Sequence, residues 1–234
     1  MEVRLELFAV ALLGLASLTA CAEANSAPGA DAAPGSPDAS PGMNDAAPGP
    51  ADAPYTADPG ARVFTGELEG TDARVAVIAT EHHARMYFCG GDSTYTMLSR
   101  WVTADLAANG DVVADRSAMA WSIHATAGPS TVSGTLSTGD ASTYSFVAIA
   151  VEKKTIAGLY EAVSPCGKVG VIVSQKTEAE TPVAQGACIG NGNIDIHQVN
   201  PVLPLQRSAD GAISVVVAGE AQEISVVPAA APAN

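Results

Sequence analysis

From Arg62 onward the chain is cut into short runs rich in Val, Ile, Thr and Tyr, separated by turn residues every 8 to 12 positions or so. Runs of that length suit single strands, because β-branched and aromatic side chains pack well on a pleated surface. The pattern predicts an all-β sandwich or barrel of about twelve short, mainly antiparallel strands. They are expected near residues 63–68, 73–80, 84–89, 111–115, 119–126, 131–137, 143–151, 156–163, 168–174, 193–199, 213–218 and 223–227. Asn109-Gly110, Gly139-Asp140, Asn191-Gly192 and Asp210-Gly211 supply turns that accept positive φ. Between Ser93 and Ala108 the spacing of Met97, Leu98, Trp101 and Val102 predicts a short helical turn followed by a strand. The hairpin opening Phe64-Thr-Gly-Glu-Leu68 resembles the one opening Val132-Ser-Gly-Thr-Leu136, and Ala84-Arg-Met-Tyr87 is echoed by Ala157-Gly-Leu-Tyr160. Duplication of a half-domain and convergent hairpin chemistry both account for this.

The 60 residues before this domain cannot share its core. Residues 22–60 contain 12 Ala, 8 Pro and 5 Gly with six acids and no base, and Asp-Ala-Ala-Pro-Gly occurs at 31–35 and again at 45–49. Such a segment is expected to be a tether, stiffened towards polyproline II and extended by its own charge. As a flexible coil it would span about 30 to 40 Å. Ahead of it, Leu7 to Leu18 form an apolar run of 12 residues, shorter than the roughly 20 needed to cross a bilayer as a helix. That length fits the h-region of an export signal. The expected organisation is therefore a signal peptide at 1–20, a tether at 21–60, an all-β domain at 61–228 and a flexible tail at 229–234.

The h-region ends in Leu18-Thr19-Ala20-Cys21, which resembles the lipobox of bacterial lipoproteins. The resemblance implies removal of the signal, acylation of Cys21 (palmitate among its chains) and a membrane anchored by more than one acyl chain, since a single chain binds only marginally. Ala22 stands where inner-membrane retention is commonly associated with Asp, which by the same resemblance points to the outer membrane of the cell envelope. Within the domain, Tyr87-Phe-Cys-Gly-Gly91, Val132-Ser-Gly-Thr135, Ala157-Gly-Leu-Tyr160, Cys166-Gly-Lys-Val-Gly170 and Gln198-Val-Asn-Pro201 resemble landmarks of a type of exported all-β bacterial domain. That likeness implies architecture and address, and no catalytic residue.

The formal charge of -14 is spread along the chain, and only Lys153 and Lys154 are adjacent bases. No stripe exists that could neutralise a run of phosphates, so nucleic acid is not an expected partner. Export would expose the cysteines to oxidation. Beyond Cys21 there are three, so at most one intramolecular disulfide forms. Cys166 is expected to open one strand and Cys188 to lie just before the next, with the turn-forming Gln175 to Pro182 between them. These two are therefore paired, at a gain of about 3 kcal/mol on the chain-entropy model. Cys89 then remains as a buried thiol.

Candidate chemistry is sparse. His82 and His83 are adjacent on one hairpin, so they point to opposite faces and cannot chelate one ion together. His124 and His197 fit no metal-binding spacing. Asn191, Asn193 and Asp195 alternate like the first positions of a calcium loop, but Ile196 and Val202 stand where Gly and Glu are required, so a hairpin turn is expected. Glu178 and Glu180 could serve as an acid pair, but they belong to a polar turn where carboxylates usually stay solvated. The leading expectation is a non-enzymatic lipoprotein module, without cofactor or metal, that binds, senses or packs against another envelope component. The alternatives are a hydrolase or metal-dependent enzyme whose site is assembled from separate strands, or a carrier with an apolar lumen. The first alternative requires a pocket that unites residues such as His83, His124, Asp92 and Cys89.

Overall fold

Strand alternation decides which faces of this chain are covered. In Trp121–Ala127 and Thr143–Ala150 burial alternates over much of the strand, so one face packs inward and the other meets solvent. In Arg74–Ala79 and Gly167–Ser174 runs of five consecutive residues are buried, so both faces are covered. The computed structural model describes residues 60–116, 120–190, 192, 194–220 and 222–232, and arranges these two kinds of strand as two barrels in contact.

The first barrel is a meander of β1 (Arg62–Leu68), β2 (Arg74–Ala79), β3 (His83–Cys89), β4 (Arg100–Asp105), β5 (Asp111–Arg116), β6 (Trp121–Ala127), β7 (Thr131–Ser137) and β8 (Thr143–Ala150). β8 returns to pair antiparallel with β1, while beyond the end of β4 a single bridge from Leu106 to Val112 joins it to β5, so the barrel is nearly closed. A one-turn helix, α1 (Tyr95–Leu98), precedes β4. The second barrel is closed and six-stranded: β9 (Gly158–Ser164), β10 (Gly167–Ser174), β11 (Val183–Ile189), β12 (Ile196–Pro201), β13 (Ile213–Val217) and β14 (Glu223–Pro228), the last pairing back to β9.

All twelve expected strands have counterparts, and the helical turn followed by a strand is α1 and β4. One strand was not expected: β11, whose Val-Ala-Gln-Gly-Ala-Cys-Ile is diluted by Ala, Gln and Gly. Cys188 accordingly lies inside β11, opposite Val169 of β10, rather than before a strand. The Cys166–Cys188 disulfide is present, with Cα atoms 6.2 Å apart, and Cys89 is a buried free thiol. The likeness between the hairpins at 64 and 132 ends at their second strand, because Tyr87 sits on β3 of the first barrel and Tyr160 on β9 of the second. The chain after Pro228, expected as a tail, is tied down at its start: Ala229 is buried and donates to the Leu159 carbonyl, and the Ala230 amide donates to Glu161.

Barrel size selects the filling. The eight-stranded interior takes Phe64, Met86, Phe88, Trp121, Leu136 and Phe146 among its buried residues, with Phe88 edge-on to both Trp121 and Phe146 at centroid distances of 5.8 and 5.7 Å. The narrower six-stranded barrel is packed largely by valines, including Val169, Val171, Val199, Val215 and Val226. Between the barrels, Val63, Ala76, Ile78, Tyr87 and Cys89 meet Leu159, Ile172, Ala187, Ile189 and Ala229.

Polar groups pin this apolar joint. Tyr87 Oη accepts from the Ala187 amide at 3.1 Å, lies 3.3 Å from the Ala187 carbonyl, and its ring stacks on Trp101. Only glycine fits at position 170, since a Cβ there would stand 2.6 Å from the Tyr87 ring. Glu161 is gripped by Arg85, by Lys168 at 3.1 Å and by the Ala230 amide, while Arg85 and Lys168 both lie 4.4 Å from the centre of the Trp101 ring. Gln185 of β11 donates to the Asp72 and Cys89 carbonyls of the first barrel. Tyr87→Phe keeps the stacked ring but orphans buried backbone groups at Ala187, so a loss of about 1–3 kcal/mol is expected in denaturant titrations. An unchanged midpoint would mean that the apolar contacts alone hold the barrels together.

Candidate functional site

The outer face of β1 and β8 is not covered along its whole length. Phe64 and Leu68 point into the barrel, which sends Thr65 and Glu67 outward; Phe146 and Ala148 point in, which sends Ser145, Val147 and Ile149 outward. Thr65 sits opposite Ile149 and Glu67 opposite Val147, giving a polar row beside an apolar one. Val147 and Ile149 keep more than half of their surface exposed. The two are neighbours on one face, and contiguous exposed apolar surface, unlike scattered exposed residues, can mark an interaction site.

The β10–β11 loop forms the facing wall. Gln175 fixes its path: Oε1 accepts from the Ile156 amide at 2.9 Å and Nε2 donates to the Glu180 carbonyl at 2.8 Å. The Glu180 carboxylate in turn accepts from the Lys176 amide at 3.1 Å. Between floor and wall runs an open groove of about 750 Å3, lined on the wall side by Ser174, Gln175, Lys176, Glu180, Thr181 and Val183. Its volume lies in the range of ordinary ligand sites. The charged lining is Glu67, Glu69, Glu152 and Glu180 against Arg74 and Lys176. Arg74 is held by Glu67 at 3.2 Å. Among the described residues, the Glu69 and Glu152 carboxylates make no ion pair, and the wall hydroxyl Ser174 Oγ has no hydrogen-bond partner.

Of the residues singled out from the sequence Glu180 lines the groove, while the histidines, Asp92 and Cys89 lie elsewhere and are not brought together in one site. His83 Nδ1 is 3.1 Å from Asp105 Oδ1 at one end of the first barrel. His124 is exposed on β6 beside Ser122 Oγ, and His197 on β12 is 3.0 Å from Asp195. Asp92 accepts from Gln198 Nε2 at 2.6 Å, tying the segment before α1 to β12. Cys89 is enclosed in the joint, where burial pushes its thiol up to about 11 although the polar groups of Tyr87, Ser99 and Gln185 nearby pull the other way. A thiol so protonated is a poor nucleophile. Among the described residues no group of three or more His, Cys, Asp or Glu side chains could hold a metal ion. Asn191 and Asn193 of the calcium-like spacing lie outside the described residues, and Cys21 does as well.

Sequence reasoning missed the groove, although one signal was available. Phe146-Val-Ala-Ile-Ala-Val151 is apolar at every position, whereas a half-buried strand should alternate. Its outward residues therefore had to be either covered or a binding surface. The chain matches no protein family, no curated protein and no solved structure among those compared with it.

Proposed function

We propose that this protein is an exported bacterial lipoprotein, anchored through acyl chains on Cys21 and more specifically at the outer membrane, whose two barrels form a non-enzymatic binding module for another component of the cell envelope. The observation that carries the binding role is the groove between β1/β8 and the β10–β11 loop, with its exposed Val147, Ile149 and Val183. The floor is a paired strand face and the wall a loop fixed through Gln175 and Glu180, and a surface held in this way lowers the ordering cost of binding. The anchor rests on the 12-residue apolar run and the lipobox-like end at Cys21. An apolar-ligand carrier has less support, because aromatic and aliphatic side chains fill the eight-stranded interior.

A hydrolase would need a base, a nucleophile and a polarising group within reach of one another. The groove lining offers hydroxyls, carboxylates, Arg74 and Lys176, but among the described residues no lining hydroxyl is hydrogen-bonded to a lining carboxylate or amine. The purified protein is accordingly expected to turn over none of a panel of ester, peptide, phosphate and glycoside substrates, with or without divalent metals. Alanine at His83, His124, Asp92 or Cys89 should alter stability or surface properties only. Reproducible turnover that one of these substitutions removes from a still-folded protein would place it among the enzymes instead.

A further inference from the structure

The lining of the groove narrows what it can bind. We infer that its occupant is an extended polypeptide segment whose groove-facing side chains, every second residue, alternate between basic and apolar, contributed by a different protein; this rests on the reading of the groove as the binding surface.

Four carboxylates against two cations leave the lining with a net charge of two negative, and Glu67 already neutralises Arg74. The Glu69 and Glu152 carboxylates have no cation of their own among the described residues. A ligand bearing Lys or Arg completes this arrangement, whereas an acidic one meets like charge. That argues against two occupants close at hand. Residues 22–60 of this chain carry six acids and no base, and a second copy brings a domain with ten bases and 17 acids over residues 61–234.

The shape of the floor argues for an extended chain. Outward side chains on β1 and β8 repeat every second residue, about 6.5 to 7 Å, and the two rows stand about 4.8 Å apart. An extended peptide running along the strands presents every second side chain at the same pitch, so one groove-facing basic residue can reach Glu69, in the turn after β1 beside Ser145, while the next groove-facing apolar residue packs on Val147. Because β1 and β8 are already paired on both sides, the peptide cannot add as a further strand. Recognition must come through side chains, the floor rows on one side and the exposed wall groups on the other.

The test uses the full chain in detergent and two labelled synthetic peptides, Lys-Ser-Val-Ser-Lys-Ser-Val-Ser-Lys, which sets Lys and Val in turn on one face, and its counterpart with Glu at every Lys, read by fluorescence anisotropy. The lysine peptide should bind and the glutamate peptide should not, and affinity should fall as salt rises. Glu69→Gln with Glu152→Gln should weaken binding by about threefold to tenfold. Val147→Ser with Ile149→Ser should weaken it by about tenfold or more. Val113→Ser, at an equally exposed valine on β5 remote from the groove lining, serves as the unchanged control. All five sites are surface positions, and melting curves are to show that the variants fold. Loss with the apolar pair alone would overturn the cationic selection while leaving the groove as a binding surface. Binding that neither pair affects would overturn both readings. Groove-dependent binding of a peptide made from residues 22–60, or concentration-dependent self-association abolished by the apolar pair, would show that the occupant is this chain itself and overturn the inference.

Discussion

Cys21→Ser should abolish incorporation of labelled fatty acid and move the protein from the detergent phase to the aqueous phase, while the barrels melt at an unchanged temperature. The expectation joins two independent lines. The apolar run before Cys21 is too short to hold the chain in a bilayer as a spanning helix, so stable attachment needs covalent lipid, and more than one acyl chain of it. Among the described residues, the cores of both barrels are built from positions after Gly60, so the barrels are expected to fold without the acyl group. Residual membrane association of the variant through an uncleaved signal is separated from anchoring by following cleavage on gels. Acyl labelling that survives the substitution would contradict the anchor.

Arg85→Ala should be the most destabilising single change at the joint. Its guanidinium holds both oxygens of Glu161, donates to the Ala230 carbonyl at 2.9 Å and covers the face of Trp101. Truncation leaves Glu161, largely buried, with Lys168 and one amide, and breaking such a pair costs about 3 kcal/mol or more. For a domain of this size that corresponds to a fall in Tm of about 6–12 °C. The pH dependence gives an independent check. Burial raises the Glu161 pKa, but its hydrogen bonds and ion pairs, Arg85 foremost, outweigh this and hold it at about 2, against an ordinary 4.5. A depressed carboxylate stabilises the fold fully above its unfolded pKa, and that contribution is lost as pH falls through the folded value. The gap between wild type and Arg85→Ala should therefore be widest above about pH 4.5 and narrow towards pH 2. A gap that stays constant across this window would mean that Arg85 acts through packing on Trp101 rather than through Glu161.

Much of the architecture was legible because strands announce themselves locally. Val75 to Ala79 and Phe146 to Ala150 carry enough β-branched and apolar residues to be recognised without knowing their neighbours. β11 escaped because Gly186 and its two alanines are there for space: a Cβ at 186 would stand 2.8 Å from the Gly170 carbonyl, and close approach is a property of the partner strand. The division into two barrels was equally hidden, since β8 pairs back to β1 across some 80 residues and β9 turns instead to β14. The site was less legible than the fold. The sequence drew attention to His, Cys and Asp side chains, which the structure disperses. The groove depends on which apolar residues remain uncovered, and that is decided only once the second barrel has taken Val63, Ala76 and Ile78 and left Val147 and Ile149.

The binding role is tested most directly by photocrosslinking in the living envelope. Benzoylphenylalanine would replace Ile149 in the groove or Val113 on the opposite side of the sheet order, in an otherwise unaltered chain. A preformed binding surface predicts a discrete crosslinked partner from position 149, diminished by Val147→Ser, and none from position 113. Crosslinking that is absent at 149, or the same from both positions, would contradict it.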